Sequence, residues 1–466
     1  MLLVGASPKN KIKLHMLKNT LLFICIYFFS IVLTFGQNLP SLNYSLKECI
    51  DYAITHQTDV LNAQIDELSA SHKVREYIST GFPQINSSLE VNDFLKIPTT
   101  LVPAEFAGGP RGTFIPLQFG TKYNSTLGLQ ISQLIFDGSF FVGIQAAKEY
   151  VALTKLSTQK SKIDIASNVS KAYYMALAAQ KRLSLLDANL ERLEKLFADT
   201  RAMNEAGFAE KIDVDRVAVS LNNLKTEKEK AQRLTALSVS VLKLQMGLPQ
   251  HIELRLTETI TEDVLEKFCK DTMQNASLNN RIEYRLLRKN HELQGLNVKR
   301  LKNMYYPTLN AYASLQTQAF RQTFNFLDTK ERWFAISVIG FKLSLPIFDG
   351  FRKDAMIKQA HLDQIKTENQ IQQLQKAVDF EMVNAKANFS NHLKTLEIQK
   401  RNMDLALEVT KVAELKYKEG VGSNLEVVTA ETEYKTAQTN YINTLMDLYI
   451  ARIDLLKAQG ILYNEP

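Results

Sequence analysis

The chain has 466 residues, 45% of them hydrophobic and 23% charged, with 56 basic against 49 acidic side chains. Four lysines fall in the first 36 residues, which hold no acid, so the formal charge of +7 drops to about +3 beyond them and leaves no nucleic-acid footprint. The three cysteines are widely spaced and the seven histidines are scattered without HExxH or CxxC company, which argues against a metal site or a disulfide scaffold.

Residues 1–36 read as a secretory signal. Lys9, Lys11, Lys13 and Lys18 precede an apolar run of 15 residues from Leu21 to Phe35, and cleavage is expected near Gly36. Met16 is an alternative start with a conventional n-region. An anchoring helix is the competing reading, but the run is short for a span. Cys25 leaves with the signal, and its surroundings lack the small residues of a lipoprotein cleavage site. Cys49 and Cys269 remain, in corresponding places, as two buried thiols or as a pair in an oxidising compartment.

From Tyr44 to Ser79 the pattern is helical. Leu46, Cys49, Ile50, Ala53 and Ile54 share one face, and Ser45 is placed to cap it. The period then changes to alternation. Ile85, Ser87, Leu89 and Val91 oppose Asn86, Ser88, Glu90 and Asn92; Tyr123, Leu127, Leu129 and Ile131 oppose Asn124, Thr126, Gln130 and Ser132. Further on, Leu309, Ala311, Ala313 and Leu315 oppose Asn310, Ser314 and Gln316. The last run sets Trp333, Ala335, Ile339, Phe341, Leu343 and Leu345 against Gly340, Lys342 and Ser344, with Phe334, Ile336 and Val338 blurring its upper half.

Such segments suit a half-buried soluble sheet or a transmembrane barrel, apolar toward lipid and polar toward a lumen. Aromatic placement favours the barrel. Phe82 and Tyr306 begin the rising strands, and Phe136 and Phe348 finish the falling ones, so all four share one level as an interfacial girdle does. Tyr123 and Trp333 lie toward the other end. There the proline- and glycine-rich stretch from Leu95 to Phe119 and the polar stretch from Arg321 to Glu331 make long loops, as on the external side of an outer-membrane barrel. Four strands cannot close a barrel, since single-chain barrels begin at about eight. An open edge in lipid would leave backbone groups unpaired, so the strands imply an oligomer whose subunits share one barrel.

Each pair of strands feeds a long helix. Phe136-Asp137-Gly138 opens one from Ser139 to Ala206, and Phe348-Asp349-Gly350 opens another from Phe351 to Glu419, 69 residues without glycine or proline. Such a helix reaches roughly 100 Å. Its apolar row of Ile371, Leu374, Val378, Met382, Ala385, Phe389, Leu393 and Leu396 follows an 11-residue repeat, which packs without left-handed supercoiling. Each helix ends at a glycine (Gly207, Gly420), and return helices from Ile212 to Met246 and Asn424 to Gln459 end at Gly247 and Gly460. Pro83 and Pro307 occupy matching places before the rising strands. The chain is therefore a tandem duplication, with a signal over 1–36 and repeats over 37–250 and 251–466. The returns stop halfway. The lengths stack Ile212–Met246 on residues 277–305 and Asn424–Gln459 on Tyr44–Ser79, with 248–276 as an irregular girdle at mid-height.

At the hairpin ends Gly207 and Gly420 supply positive φ and leave room for another backbone. Ser423-Asn424-Leu425-Glu426 reads as a capping box, with Glu426 reaching back to the Ser423 amide. Asp213 and Glu426 both complement a helix dipole.

In this order and duplicated, these marks resemble the TolC family of outer-membrane efflux proteins over essentially the whole mature chain. The resemblance rests on the two Phe-Asp-Gly turns, on Pro83 and Pro307, and on a glycine followed about six residues later by an acid and a valine: Gly207 with Asp213-Val214, and Gly420 with Glu426-Val427. It implies a fold that is mainly α with a small β part, in which long antiparallel hairpins form an α-barrel and four strands join a twelve-stranded barrel shared by a homotrimer. It also implies outer-membrane lipid around the strands, a periplasmic helical part with a closable tip, and service as the exit duct of a tripartite efflux or type I secretion system. Docking to a periplasmic adaptor (membrane fusion) protein and an inner-membrane transporter would fall to Gly207, Phe208, Asp213, Gly420, Val421, Ser423 and Glu426. Glu426 stands where the family often has aspartate, which puts tip-specific selectivity in question.

No phosphate loop, nucleophile elbow or dinucleotide glycine pattern is present, so neither catalysis nor a cofactor is expected. The competing class is a secreted periplasmic coiled-coil adaptor or scaffold without a pore. It accounts for the hairpins and the signal but not for four alternating strands bounded by aromatics.

Overall fold

The computed structural model describes residues 42–261 and 277–463; the expected signal and Cys269 lie outside the described residues. In chain order the first repeat contains β1 (Leu42–Tyr44), α1 (Leu46–His56), α2 (Thr58–Ser79), β2 (Gln84–Asp93), β3 (Thr99–Pro103), β4 (Phe114–Gln118), β5 (Tyr123–Phe136), α3 (Gly138–Glu205) and α4 (Lys211–Met246). The second contains β6 (Leu254–Leu256), α5 (Ile282–Asn303), β7 (Thr308–Arg321), β8 (Phe334–Ser344), α6 (Arg352–Lys418) and α7 (Asn424–Gln459). α3 and α6 have 68 and 67 residues, close to the expected spans. All eight residues of the expected apolar row on α6 are buried or half-buried.

The helices follow the strands they join. Near the sheet they lie side by side as α2, α3, α5, α6, and the strands hydrogen-bond in the matching order β2, β5, β7, β8, all antiparallel. Beyond mid-height the order becomes α4, α3, α7, α6. This corrects the expected stacking. Gly247, ending α4, meets the His56 and Gln57 backbone at the head of α2, and Gly460, ending α7, meets Asn280 just before α5. Each return helix therefore abuts the helix that leads into the rising strand of its own repeat, α4 against α2 and α7 against α5, because it stays on the side of α3 or α6 toward which its hairpin turned.

That abutment also divides the stretch expected as one helix. Gln57 is extended at φ −71° and ψ 129°, which separates α1 from α2 without any glycine or proline. Around this break lies the main core, at mid-height. Cys49 and Val60 meet Val169 and Tyr173 of α3, Met246 of α4, and Leu445 and Leu448 of α7, all at most 1% exposed. Full burial of such side chains contributes about 1.5–3 kcal/mol each. Cys49 is a free, buried thiol, and burial, with the nearby Glu258 and Glu48 carboxylates, pushes it up to about 12. The expected irregular girdle contains a short parallel ladder, Leu42 to Leu254 through Tyr44 to Leu256. Arg281, 5% exposed, ties the end of α7 to α6 by donating to the Ala458 carbonyl at 3.0 Å and to the Glu381 carboxylate at 2.8 Å.

The expected loop from Leu95 to Phe119 is also more ordered than its composition implied. β3 and β4 pair antiparallel, from Thr99 opposite Gln118 to Pro103 opposite Phe114, and a 3-10 turn over Ala104–Ala107 joins them. Pro103 and Pro116 fit because a two-stranded ribbon consists only of edges, where a missing amide donor is tolerated.

Candidate functional site

The register of the four-stranded sheet sorts its side chains into two faces. One row holds Ile85, Ile131, Ala313 and Ile339; two residues along lie Ser87, Leu129, Leu315 and Ser337. The rows between them belong to the other face and read Asn86, Gln130, Ser314 and Val338, or Glu90, Thr126, Gln318 and Phe334. The apolar face is open in the protomer, with Phe341 74% exposed. Among the described residues no helix is long and apolar enough to cross a membrane. β2 and β8 form the two edges of the sheet, and β2 is exposed along its whole length.

The girdle residues Phe82, Phe136, Tyr306 and Phe348 are exposed at the helix end of the sheet. At the opposite end Tyr123 meets Phe324 at 5.7 Å and Phe326 meets Trp333 at 6.4 Å between ring centres. Pro83 and Pro307 each immediately precede a rising strand, after matching turns. The two falling junctions differ. Asp137 accepts from the Ser139 amide at 2.7 Å and the Phe140 amide at 3.3 Å, so Gly138 is already the first residue of α3. In the second repeat Gly350 and Phe351 both take positive φ, at 67° and 62°, and α6 starts only at Arg352. Asp349 there accepts from the Lys353 amide at 3.2 Å, and its carboxylate lies 3.4 Å from the Lys353 ammonium. Both Phe-Asp-Gly turns therefore open long helices as expected, but by different backbone paths.

At the other pole the two hairpin ends share a core. Leu193 and Leu196 of α3, Val217 and Leu221 of α4, Tyr417 of α6 and Val427 of α7 form one cluster, so the Gly207 and Gly420 turns come to the same end. Polar groups fasten one hairpin to the other just above. Asn189 Nδ2 donates to Gln438 Oε1 at 2.7 Å, and Arg192 pairs with Glu431 at 3.3 Å. Burial raises the Glu431 carboxyl above its usual value against the pull of Arg192.

Gly207 and Gly420 have φ of 83° and 72°, and a Cβ on either would meet nothing within 4 Å. Beside them Phe208 is 82% and Val421 78% exposed. Asp213 sits in the first turn of α4 and pairs with Arg216 at 3.3 Å. Ser423 Oγ accepts from the Glu426 amide at 3.2 Å, which is half of the expected capping box. The Glu426 carboxylate instead lines a groove of about 640 Å³ between α6 and α7, with Leu405, Val409, Val412, Leu425 and Glu433. Sequence reasoning missed this groove; its signal is the 4-and-3 spacing of Leu405, Val409 and Val412, off the main apolar row.

A model of the outer membrane efflux protein family matches residues 50–247 and 275–460, one stretch in each repeat. The toluene efflux pump outer membrane protein TtgC of Pseudomonas putida is 22% identical over 348 residues, 73% of this chain and 69% of its own. Outer membrane protein TolC of Salmonella enteritidis is 20% identical over 352 residues, 74% of this chain and 71% of its own. The crystal structure of the outer membrane protein VceC from Vibrio cholerae shares the fold, with a TM-score of 0.67 at 16% identity over 89% of this chain and 96% of that one.

Proposed function

The chain belongs to the outer membrane efflux protein family, and from that premise we propose that three copies assemble into one passive export duct docked by a periplasmic adaptor and an inner-membrane transporter. The observation that carries this reading is the sheet, with one apolar face and two unpaired edges. β2 and β8 run antiparallel to each other, so the β8 edge of one copy can pair with the β2 edge of the next. Three copies of four strands give twelve, a number within the range of single outer-membrane barrels. The repeats over 37–250 and 251–466 each contribute two strands and one hairpin. The hairpins extend into the periplasm, and their ends, with Gly207, Phe208, Asp213, Gly420, Val421, Ser423 and Glu426, form the adaptor seat.

The mass of the detergent-solubilised complex tests the oligomer; a folded monomer would sink the shared barrel. Docking is tested by Gly207→Phe and, separately, Gly420→Phe. Each turn lies roughly 100 Å from the strands, so membrane abundance should hold while adaptor cross-linking and export fall. Loss of the assembled oligomer in Gly420→Phe would make that glycine a folding element and remove the docking role.

A further inference from the structure

One strip of the sheet breaks the sorting of its faces. On the polar face, beside Gln318, Gln316 and Ser314 of β7, strand β8 presents Phe334, Ile336 and Val338. Phe320 extends the strip, its ring 6.1 Å from that of Phe334. All four side chains are between 43% and 54% exposed, on the face that would line a water-filled lumen. A second unpartnered apolar surface stands just beyond the same end. On the β3–β4 hairpin, Leu101, Pro103, Phe114 and Pro116 share one face, and Phe106 in the connecting turn is 86% exposed. Lys96, Glu105, Arg111 and Lys122 surround the hairpin, so it belongs above the bilayer. Apolar surface of this extent left in water marks an interaction site.

Topology brings the two surfaces together. The hairpin follows β2 directly, and closing the sheet edges sets β2 of one copy beside β8 of the next. Its five-residue strands span about 17 Å, against about 13 Å from Phe334 to Val338. Beyond the bond from the Phe94 amide to the Lys122 carbonyl, residues 95–98 and 119–121 tether the hairpin and reach up to about 14 Å and about 10 Å, enough to turn over the rim. We propose that the β3–β4 hairpin of one subunit folds into the external mouth and covers the Phe320, Phe334, Ile336 and Val338 strip of its neighbour, narrowing the exit. The inference rests on the shared barrel proposed above.

The test uses the full chain with Cys49 and Cys269 changed to alanine. A tagged Phe106→Cys copy is co-expressed with an untagged Ile336→Cys copy, and in parallel with an untagged Phe341→Cys copy, whose cysteine sits on the opposite face of the same strand. A disulfide-linked band at the summed mass of tagged and untagged subunits is expected with Ile336→Cys and not with Phe341→Cys. Linking through Phe341→Cys would place the hairpin on the lipid side and overturn the inference. So would absence of both links in complexes that light scattering shows to be oligomeric, whereas a monomer by the same measurement would bring down the barrel reading itself. Replacing residues 99–118 with a short Gly-Ser turn should raise single-channel conductance in planar bilayers; unchanged conductance counts against a narrowed mouth.

Discussion

Phe136-Asp137-Gly138 and Phe348-Asp349-Gly350 are the same three residues at the same step of two repeats, and they start their helices differently. β5, which leads into the first, lies between β2 and β7, and Gly138 is packed under Tyr306 and Asn303, whose Nδ2 donates to the Gly138 carbonyl at 3.0 Å. A Cβ there would lie 3.1 Å from the Tyr306 ring and 3.2 Å from the Asn303 carbonyl, so the neighbours hold this residue closely, and Asp137 caps α3 at once. β8 is an edge. Its continuation, from Leu345 to Phe351, is largely exposed, and the chain spends two left-handed residues before α6 begins. A left-handed phenylalanine is uncommon and strained. The difference teaches that a local motif fixes a turn only where neighbours on both sides hold it.

The largest expected effect follows from the same contrast of centre and edge. Leu129 on β5 lies mid-sheet, in a row with Leu315, whereas Leu343 pairs with Leu309 one row from the end of β8. Leu129→Arg should cost about 2–4 kcal/mol, the penalty at a bilayer midplane, and Leu343→Arg only about 0–1 kcal/mol near an interface. Gln130→Arg, on the polar face, should be tolerated. The fraction of oligomer surviving on unheated gels ranks the three. Equal losses at Leu129 and Gln130 would mean that the faces are wrongly assigned.

The helix starts come next. Asp137→Ala removes an acceptor from two amides and should cost about 1–2 kcal/mol, at the upper end for a lost cap. Asp349 is distinguished by its partner. Burial by itself would raise its carboxyl, but the Lys353 amide and ammonium outweigh that and hold it below the usual carboxylate value. Its folded pKa is thus below its unfolded one, so its contribution is present above the ordinary carboxylate pKa and disappears as pH falls through the lowered value. Thermal unfolding followed against pH should show a shallower acid loss in Asp349→Asn than in the parent. An unchanged slope would mean that Lys353 does not hold the turn.

Much of this molecule was legible from its residues. Long runs without glycine or proline fixed the hairpins, alternation fixed the strands and their faces, and Gly207 and Gly420 marked the turns. What escaped depended on partners distant in sequence. The break at Gln57 carries no breaker residue; it arises where α4 ends against that backbone. β1 and β6 are three residues each, too short for a periodic signal, and they pair across 212 residues. The stacking of return helices could not follow from matched lengths, because both pairings give similar sums. Of the candidate site, the turn glycines and exposed tips were readable, while the groove beside Glu426 needed two helices laid together.

The smallest effects lie at the hairpin ends, where the repeats differ again. Ser423 caps α7 with its hydroxyl, but Glu210, at the same place before α4, makes no side-chain cap. Ser423→Ala should therefore cost about 1 kcal/mol, and Glu210→Ala almost nothing. Glu426→Gln discriminates further. The hydroxyl of Ser423 accepts from the Glu426 amide, which survives the change, so only the charge near the helix N-terminus is lost, about 0.3–1 kcal/mol at low salt. That carboxylate also borders the apolar groove between α6 and α7. If the groove receives a basic or polar partner, Glu426→Gln should weaken adaptor cross-linking more than it weakens the fold, and salt should shrink the difference. Proteolysis at the hairpin ends, measured beside cross-linking in the same cells, separates the two. A Glu426→Gln variant cut faster than Ser423→Ala would show that the carboxylate holds the turn, and would assign it to structure instead of docking.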